Sequence, residues 1–270
     1  MNDPYLYPHT DILKNLADIR DGEKLSFMEA EYTSIRLAEL VIGESVSRFD
    51  FVSLCNMHHY IFQDVYEWAG KIRIINIEKS EPALGGISIE YSDCFDIEED
   101  ATFVLNKMNQ YAWGKASLEE VAKMFSQYLA ELWKVHPYRE GNTRTVITFC
   151  SQFIESKGFY IDSDLFKDNA QYMRTALVAA SAMFSDLGDK RKPEYLEKIV
   201  LDALERGQEM KQRVSDIIKR AGYGVTESRI RKIIYWNRLE RYEHGEREVK
   251  FYLLQNEAKH RCTRGTNKIK

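Results

Sequence analysis

The feature that most restricts the fold of this chain is a nine-residue loop between two amphipathic segments. Residues 117–134 repeat apolar side chains every three or four positions, which is the spacing of a helix with one buried face. Pro137 disfavours the helical conformation at the residue before it, so this helix should end at His136. A second periodic segment runs from residue 142 to 158. The sequence therefore predicts two helices joined by the loop HPYREGNTR, residues 136–144.

Helical periodicity extends over most of the chain. Further helices are predicted at residues 11–20, 27–41, 50–66, 97–112, 165–184 and 193–220. Residues 72–91 differ, because two isoleucine-rich runs flank a turn rich in Pro and Gly, a pattern typical of a β-hairpin. The predicted fold class is therefore all-α, with one β-hairpin and a small C-terminal subdomain.

Charge is unevenly distributed along the chain. Residues 211–270 contain 16 Lys and Arg against 7 Asp and Glu, so this part carries +9 and the first 210 residues carry −13 of a net −4. We predict a main domain at residues 1–204 and a small basic helical subdomain with a tail at residues 205–270. The acidic main domain is unsuited to non-specific binding of nucleic acid, because phosphate contacts need clustered Lys and Arg. Residues 205–270 could contact nucleic acid or an acidic partner, but the favoured interpretation is a solvated helix face with a loose tail.

Composition indicates a cytoplasmic protein without a membrane segment. Hydrophobic residues make up 44% and charged residues 30%, as in an ordinary globular protein. No apolar run approaches the roughly eighteen residues of a membrane span, and the N-terminus lacks the pattern of a secretory signal. The four cysteines show no metal-ligand pairing, and Cys55 and Cys150 are expected to be small buried side chains. His58 and His59 also lack a second ligand pair, so we expect them in the core or on a helix surface.

The loop ends where a helix begins, and this position suits an anion. The first N–H groups of a helix have no intrahelical acceptor and lie at the positive end of its dipole. Gly141, Asn142 and Thr143 are therefore expected to offer N–H groups to a phosphate, with Gly141 allowing a close approach. Arg144 follows in the helix and can contact a phosphate through two donors. These residues predict a nucleotide-binding site.

Two further loop residues supply groups for a transfer reaction. Glu140 is a hard oxygen ligand beside the predicted anion site, and Mg²⁺ prefers one or two carboxylates together with substrate phosphates. His136 has a pKa range suited to taking a proton from an incoming hydroxyl near pH 7. A base, a metal ligand, an arginine and an anion site are the parts that phosphoryl or nucleotidyl transfer needs.

The loop resembles the signature of the Fic family (filamentation induced by cAMP), HxFx(D/E)GN(G/K)RxxR. Tyr138 stands where the signature has Phe, which keeps an aromatic anchor. Residues 59–73, HYIFQDVYEWAGKIR, are similar to the segment before the family's flap, and residues 72–91 lie where the flap belongs. The resemblance covers about residues 1–200 and implies a Fic-type helical bundle with a β-hairpin flap.

The resemblance also implies an activity and a role for each loop residue. Members of the family mostly transfer AMP from Mg-ATP to a Ser, Thr or Tyr hydroxyl of a target protein and release pyrophosphate. His136 would be the general base and Glu140 would hold Mg²⁺. Residues 141–143 would bind the phosphates, and Arg144 would hold the β- or γ-phosphate. The flap, residues 72–91, would dock the target by adding a strand.

Two loop positions depart from the family pattern. Ile147 stands where the signature has its second arginine, which normally helps to orient the γ-phosphate, so the transfer rate and the transferred group are left open. Thr143 stands where the signature has Gly or Lys. Away from the loop, the resemblance places Asn169 and Tyr172 near the adenine, with an ordinary helix surface as the equal alternative.

Many Fic proteins are inhibited by a helix carrying (S/T)xxxE(G/N), whose Glu pairs with the second arginine. Only residues 151–155 have this spacing, and they lie inside the predicted helix that follows the loop. Because Ile147 replaces the arginine, we predict no intramolecular inhibition of this kind. A separate antitoxin protein, self-association or limited activity would then control the enzyme.

The favoured hypothesis is a protein adenylyltransferase of the toxin or effector type, with ATP and a target protein as partners. The first alternative is a Fic enzyme that transfers another group, such as phosphate, phosphocholine or a different nucleoside monophosphate. The second is a weakly active binding or regulatory module that acts through the basic C-terminal part.

Overall fold

The computed structural model describes residues 3–42, 46–226, 229–230 and 233–234. Up to residue 226 these form eight α-helices: α1 (Gly22–Ile42), α2 (Phe51–Phe62), α3 (Ile97–Gln110), α4 (Leu118–Val135), α5 (Asn142–Ser156), α6 (Ser163–Asp168), α7 (Ala170–Ser181) and α8 (Glu194–Arg220). Single 3-10 turns at Pro82–Leu84 and Trp113–Lys115 precede α3 and α4. The strands assigned in the described residues are β1 (Met183–Phe184) and β2 (Gly188–Asp189), an antiparallel pair. The predicted all-α fold class is confirmed.

Helix α4 lies at the centre of the fold. It packs against α3, α5, α7 and α8, and Phe125, Leu129 and Trp133 along it are fully buried. At its start the Ser117 hydroxyl accepts from the Glu120 N–H, and the Glu120 carboxylate accepts from the Ser117 N–H. The apolar periodicity and this local cap both specify the helix, and its C-terminal end carries the loop into the core.

Most predicted helices are present, but the one predicted at residues 11–20 is wrong. In that segment the Asn15 side chain accepts from the Ile19 N–H and donates to the Ile19 carbonyl, at 2.9 and 2.7 Å. The side chain thus satisfies the backbone locally and competes with a helix. The helix predicted at residues 165–184 is interrupted at Asn169, which separates α6 from α7.

The flap, residues 72–91, doubles back as predicted, but no paired strands occur in it. Its turn lies at Pro82–Leu84. The guanidinium of Arg73 donates to the Ile75 carbonyl at 2.7 Å and also to the Ser92 carbonyl, so it ties the two arms together at their base. The predicted β-hairpin is therefore corrected to a loop, whose arms are joined by side-chain hydrogen bonds of Arg73 and of the Ser88 hydroxyl, which accepts from the Lys79 N–H.

Helix α8 passes through residue 205 without a break. Before this point its buried residues belong to the main core. Beyond it, Val214 and Ile218 pack with Tyr160 and Ile230 in a second, smaller cluster. The division into residues 1–204 and 205–270 stays a prediction, and most of the basic tail lies outside the described residues.

The burial of the cysteines and the length of the helices can be compared with the predictions of buried Cys55 and Cys150 and of no membrane span. Cys150 is fully buried, whereas Cys55 and Cys94 are partly buried, and all three are free. Cys262 lies outside the described residues. None of the helices that the structure describes has the length and apolar character needed to cross a bilayer.

Candidate active site

The loop at residues 136–144 begins with a bend at the end of α4. His136 caps the helix in the left-handed conformation, with φ 51° and ψ 60°, which is uncommon for a residue with a side chain. Arg73 holds this bend, because its N–H donates to the Pro137 carbonyl at 2.8 Å and its Nε donates to the His136 carbonyl at 2.9 Å. Arg73 is itself buried. The predicted helix end at His136 is confirmed.

Asn142 closes the middle of the loop. Its side-chain oxygen accepts from the Tyr138 N–H at 2.9 Å, and its amide donates to the Tyr138 carbonyl at 2.7 Å. The Tyr138 ring is buried and stacks on the His58 ring with 3.7 Å between centroids, as an aromatic anchor of the loop should. The side chain of Asn142 therefore shapes the loop, and its contribution to a phosphate is limited to the backbone N–H.

His58, from α2, holds the loop from its other side. The Gly70 N–H donates to Nδ1 at 2.8 Å, so the ring proton is on Nε2, which donates to the Glu140 carbonyl at 3.0 Å. Burial lowers the pKa of His58 to about 3 and keeps the ring neutral. The expected core position of His58 is confirmed, and its two hydrogen bonds give it a supporting part in the site.

Gly141 joins the loop to α5. Its φ is 85°, and a Cβ at this position would lie 2.3 Å from Cε2 of the Phe62 ring. A glycine is therefore required both by the backbone and by the close approach of Phe62. The Thr145 N–H donates to the Gly141 carbonyl, and the N–H groups of residues 142–144 precede this bond without an intrahelical acceptor. The predicted anion site is thus a helix N-terminus at the end of the loop.

The two ring nitrogens of His136 have different surroundings. Nδ1 lies 3.3 Å from the Trp133 carbonyl, which can only accept, so Nδ1 carries the proton. Nε2 is buried and has no hydrogen-bond partner among the described residues. Tyr91, from the end of the flap, stacks on the ring with 4.0 Å between centroids. Burial, assisted by the positive charge of Lys79, holds the pKa of His136 well below its usual range, so Nε2 has a free lone pair near pH 7.

The Glu140 carboxylate contacts a backbone donor and a cation. Its Oε1 accepts from the Gly141 N–H at 3.0 Å, and its Oε2 lies 3.2 Å from the Lys79 Nζ. Burial alone would raise the pKa of Glu140, but Lys79 and the Gly141 N–H outweigh it and hold the pKa below the usual value. A deprotonated carboxylate that already faces a cation fits the expected Mg²⁺ ligand. No group of three or more metal-binding side chains occurs in the described residues.

Arg144 is held by α1. Its Nη1 donates to the Thr33 hydroxyl at 2.9 Å, and its Nη2 forms an ion pair with Glu29. The guanidinium lies over the Phe62 ring, 4.8 Å from the centroid. Glu29 also accepts from the Tyr66 hydroxyl. Helix α1 therefore belongs to the surroundings of the site, although no feature of the loop indicated it.

Three other predicted residues have ordinary structural contacts. The Thr143 hydroxyl accepts from the Trp133 Nε1 at 3.0 Å. The Asn169 amide donates to the Leu165 carbonyl of the preceding helix, α6, and the Tyr172 hydroxyl donates to the Tyr195 carbonyl at 3.2 Å. Among the described residues, neither Asn169 nor Tyr172 forms a hydrogen bond to the loop. Their predicted position near an adenine stays a prediction.

Three residues of the site, His58, Arg73 and Lys79, were not predicted as such from the sequence. His58 and Arg73 lie beside and in residues 59–73, and the resemblance of this segment to the family is the sequence signal that points to them. Residue type alone does not separate a buried charged side chain from an exposed one, so Arg73 had no signature of its own. Lys79 lies on the flap, for which the resemblance implies only a docking role.

Known proteins resemble this chain in the part that contains the loop. The model of the Fic/DOC family matches residues 48–154. The protein adenylyltransferase VbhT of Bartonella schoenbuchensis is 33% identical over 165 residues, which are 60% of this chain and 33% of VbhT. The relative named "Probable protein adenylyltransferase y4lH", from Sinorhizobium fredii, is 33% identical over 162 residues, which are 60% of this chain and 80% of that protein. This chain therefore spans a third of VbhT but most of y4lH.

Solved Fic domains share the fold. The N-terminal Fic domain of a Bep effector protein from Bartonella quintana superposes with a TM-score of 0.61 at 21% identity, covering 78% of this chain and 97% of that chain. BepC from Bartonella tribocorum, solved with bound AMPPNP, gives a TM-score of 0.57 at 20% identity, covering 74% and 95%. These structures establish the common fold, and the 33% identity across 80% of y4lH establishes the family. The resemblance seen in the sequence is confirmed, and this chain belongs to the Fic/DOC family.

Proposed function

We propose that this protein is an adenylyltransferase, which transfers AMP from Mg-ATP to a Ser, Thr or Tyr hydroxyl of a target protein. The observation that carries the proposal is His136, a buried neutral imidazole whose Nε2 has no partner among the described residues. It lies on the same short loop as Glu140 and the start of α5. The names of the relatives support the activity. The protein would act in the cytoplasm as a toxin or effector.

In this reaction the Nε2 of His136 takes the proton from the target hydroxyl. The hydroxyl oxygen bonds to the α-phosphorus of ATP, the bond from that phosphorus to the bridging oxygen breaks, and pyrophosphate leaves. The N–H groups of Asn142 and Thr143 bind phosphate oxygens at the positive end of α5, and Arg144 adds a positive charge. The third predicted donor, the Gly141 N–H, donates to the Glu140 carboxylate instead. Glu140 would hold a Mg²⁺ ion, which would supply positive charge to offset that of the phosphates. The protein contributes positioning and charge stabilisation.

The flap is proposed to dock an extended segment of the target. It borders the base, because Tyr91 stacks on His136, and its Ile74 and Ile87 side chains are exposed. Control by a separate antitoxin or by self-association also stays part of the proposal. It is supported by the position of residues 151–155 within α5, where they cannot act as a separate inhibitory helix.

The test is incubation of the full chain with α-labelled or γ-labelled ATP. We expect protein labelled from the α-phosphate, and a loss of labelling of about 10²-fold or more in His136→Ala because the general base is removed. His9→Ala, which changes an exposed histidine, is the matched control. Label from the γ-phosphate alone would replace the proposal with a kinase activity.

Transfer of a different group is the second candidate, and Ile147 is the observation that favours it. This side chain packs against the core and offers no charge to a γ-phosphate. Mass spectrometry of the labelled protein separates AMP from phosphate or phosphocholine, since their masses differ. The binding-module alternative predicts salt-dependent DNA binding that persists in His136→Ala, without any transfer by the native chain.

A further inference from the structure

Lys79 extends from the flap into the active site. Its Nζ lies 3.2 Å from the Glu140 Oε2, and its side chain is only 20% exposed. Its backbone is anchored, because its N–H donates to the Ser88 hydroxyl at 3.0 Å. After burial, its charge is the largest cause of the lowered pKa of His136. The flap therefore places an ammonium group close to both the base and the proposed metal ligand.

The other cations around the loop have partners outside the nucleotide site. Arg73 donates to backbone carbonyls that hold the bend and the base of the flap. Arg174 forms an ion pair with Glu81 at 2.7 Å, and Arg144 forms one with Glu29. None of these partners has a proposed part in binding the metal or the nucleotide, so these cations can keep their contacts when a nucleotide binds.

The partner of Lys79 differs in this respect, because Glu140 is the carboxylate proposed to hold a divalent cation. A divalent cation at Glu140 competes with Lys79 for the same carboxylate. The ammonium group would then lose its ion-pair partner in a largely buried place, where an unpaired charge is costly. Lysine carries its charge on a flexible four-carbon stem, so it can turn to a neighbouring anion while its backbone stays anchored.

We propose that Lys79, on the flap, is a phosphate-binding residue of the nucleotide site. When the metal and nucleotide bind, its ammonium group leaves Glu140 and contacts the phosphate chain. The proposal rests on the proposed function, since it assumes a nucleotide at the start of α5. Lys79 would supply a second positive charge to a site in which α5 contributes only Arg144. One turn beyond Arg144, Ile147 is packed against the core and is uncharged.

Calorimetric titration of the full chain with AMPPNP and Mg²⁺ tests this proposal without relying on transfer. Lys79→Met should weaken binding roughly 10- to 100-fold, because it removes a charge-assisted contact. Lys79→Arg, which keeps the charge, should recover most of the affinity. Lys71→Met makes the same change at an exposed lysine just before the flap and should bind like the native chain.

Hydrogen–deuterium exchange of residues 72–91 distinguishes a phosphate contact from a structural effect. We expect the same exchange in Lys79→Met as in the native chain. Unchanged AMPPNP affinity in Lys79→Met would overturn the proposal. Faster flap exchange in Lys79→Met, together with an AMPPNP affinity that Lys79→Arg does not recover, would also overturn it. A native chain that does not bind AMPPNP would do the same. If the Lys79 effect is found but no AMP is transferred through His136, the proposed function fails and the phosphate contact stands.

Discussion

His136 and Gly141 have positive φ angles, 51° and 85°, near the two ends of the same short loop. His136 is held at this angle by Arg73, which donates hydrogen bonds to the carbonyls of His136 and Pro137. Gly141 needs it to begin α5 while passing close to the ring of Phe62. A residue held in a sparsely populated conformation is maintained by its surroundings, and such residues are concentrated at functional sites.

Gly141→Ala should destabilise the protein by about 2–4 kcal/mol, from the left-handed backbone and from overpacking against Phe62. Urea unfolding provides the measurement. Gly114→Ala is the matched control, because a Cβ there meets nothing within 4 Å. Equal unfolding midpoints for the two variants would contradict the conclusion that Gly141 is required by close packing.

At the scale of elements, the flap is fixed from one side by α7. Glu81 is 3% exposed and forms an ion pair with Arg174, from α7, at 2.7 Å. The Tyr91 hydroxyl lies within 3.4 Å of the same carboxylate, and the Tyr91 ring stacks on His136. The position of the flap over His136 therefore depends on a contact with an element more than eighty residues away.

Arg174→Met should loosen the flap, because it leaves the buried Glu81 carboxylate unpaired. Since the Arg174 side chain is 35% exposed, we expect a cost of about 1–2 kcal/mol rather than that of a fully buried pair. Exchange of the flap amides at residues 72–91 should then be roughly 5- to 30-fold faster. Arg206→Met breaks an exposed pair with Asp202 and should leave flap exchange unchanged. Native exchange rates in Arg174→Met would show that this pair does not hold the flap.

At the scale of the whole molecule, folding buries two histidines that carry hydrogen bonds of the site. His58 and His136 are 0% and 1% exposed, and burial lowers both pKa values, that of His58 to about 3. In the unfolded chain a histidine has a pKa of about 6.5. Below about pH 6.5 the unfolded state therefore binds more protons than the folded state. The free energy of unfolding has its full value above this pH and declines as the pH falls towards 3.

As the pH falls from 6.5 to 5, the loss of stability from His58 alone should steepen towards about 1.4 kcal/mol per pH unit. Urea midpoints measured across this range give the slope. His58→Gln should reduce the slope by nearly that amount, in addition to lowering the overall stability. His9→Gln, at an exposed position, should leave the slope unchanged. A slope that is the same in His58→Gln and the native chain would mean that His58 is not held neutral in the folded protein.

Much of the fold was predictable because it depends on near neighbours in the sequence. The capping box of Ser117 and Glu120, the apolar stripe of α4 and the stop before Pro137 all act within a few positions. The same kind of local effect produced the error at residues 11–20, where the Asn15 side chain replaces helical hydrogen bonds. The flap turn was also predicted, but the strands were not found, and Arg73 joins the two arms at their base through side-chain hydrogen bonds.

The sequence by itself determined most of the helices, the loop between α4 and α5, and the histidine, carboxylate and helix N-terminus on that loop. These follow from residue type and short spacing, because helix caps and turns form between residues only a few positions apart. Only the tertiary structure decided which charges surround them. Arg144 meets Glu29 across 115 positions, and Glu140 meets Lys79 across 61. Such pairs form only when packing brings distant helices and the flap to the same place.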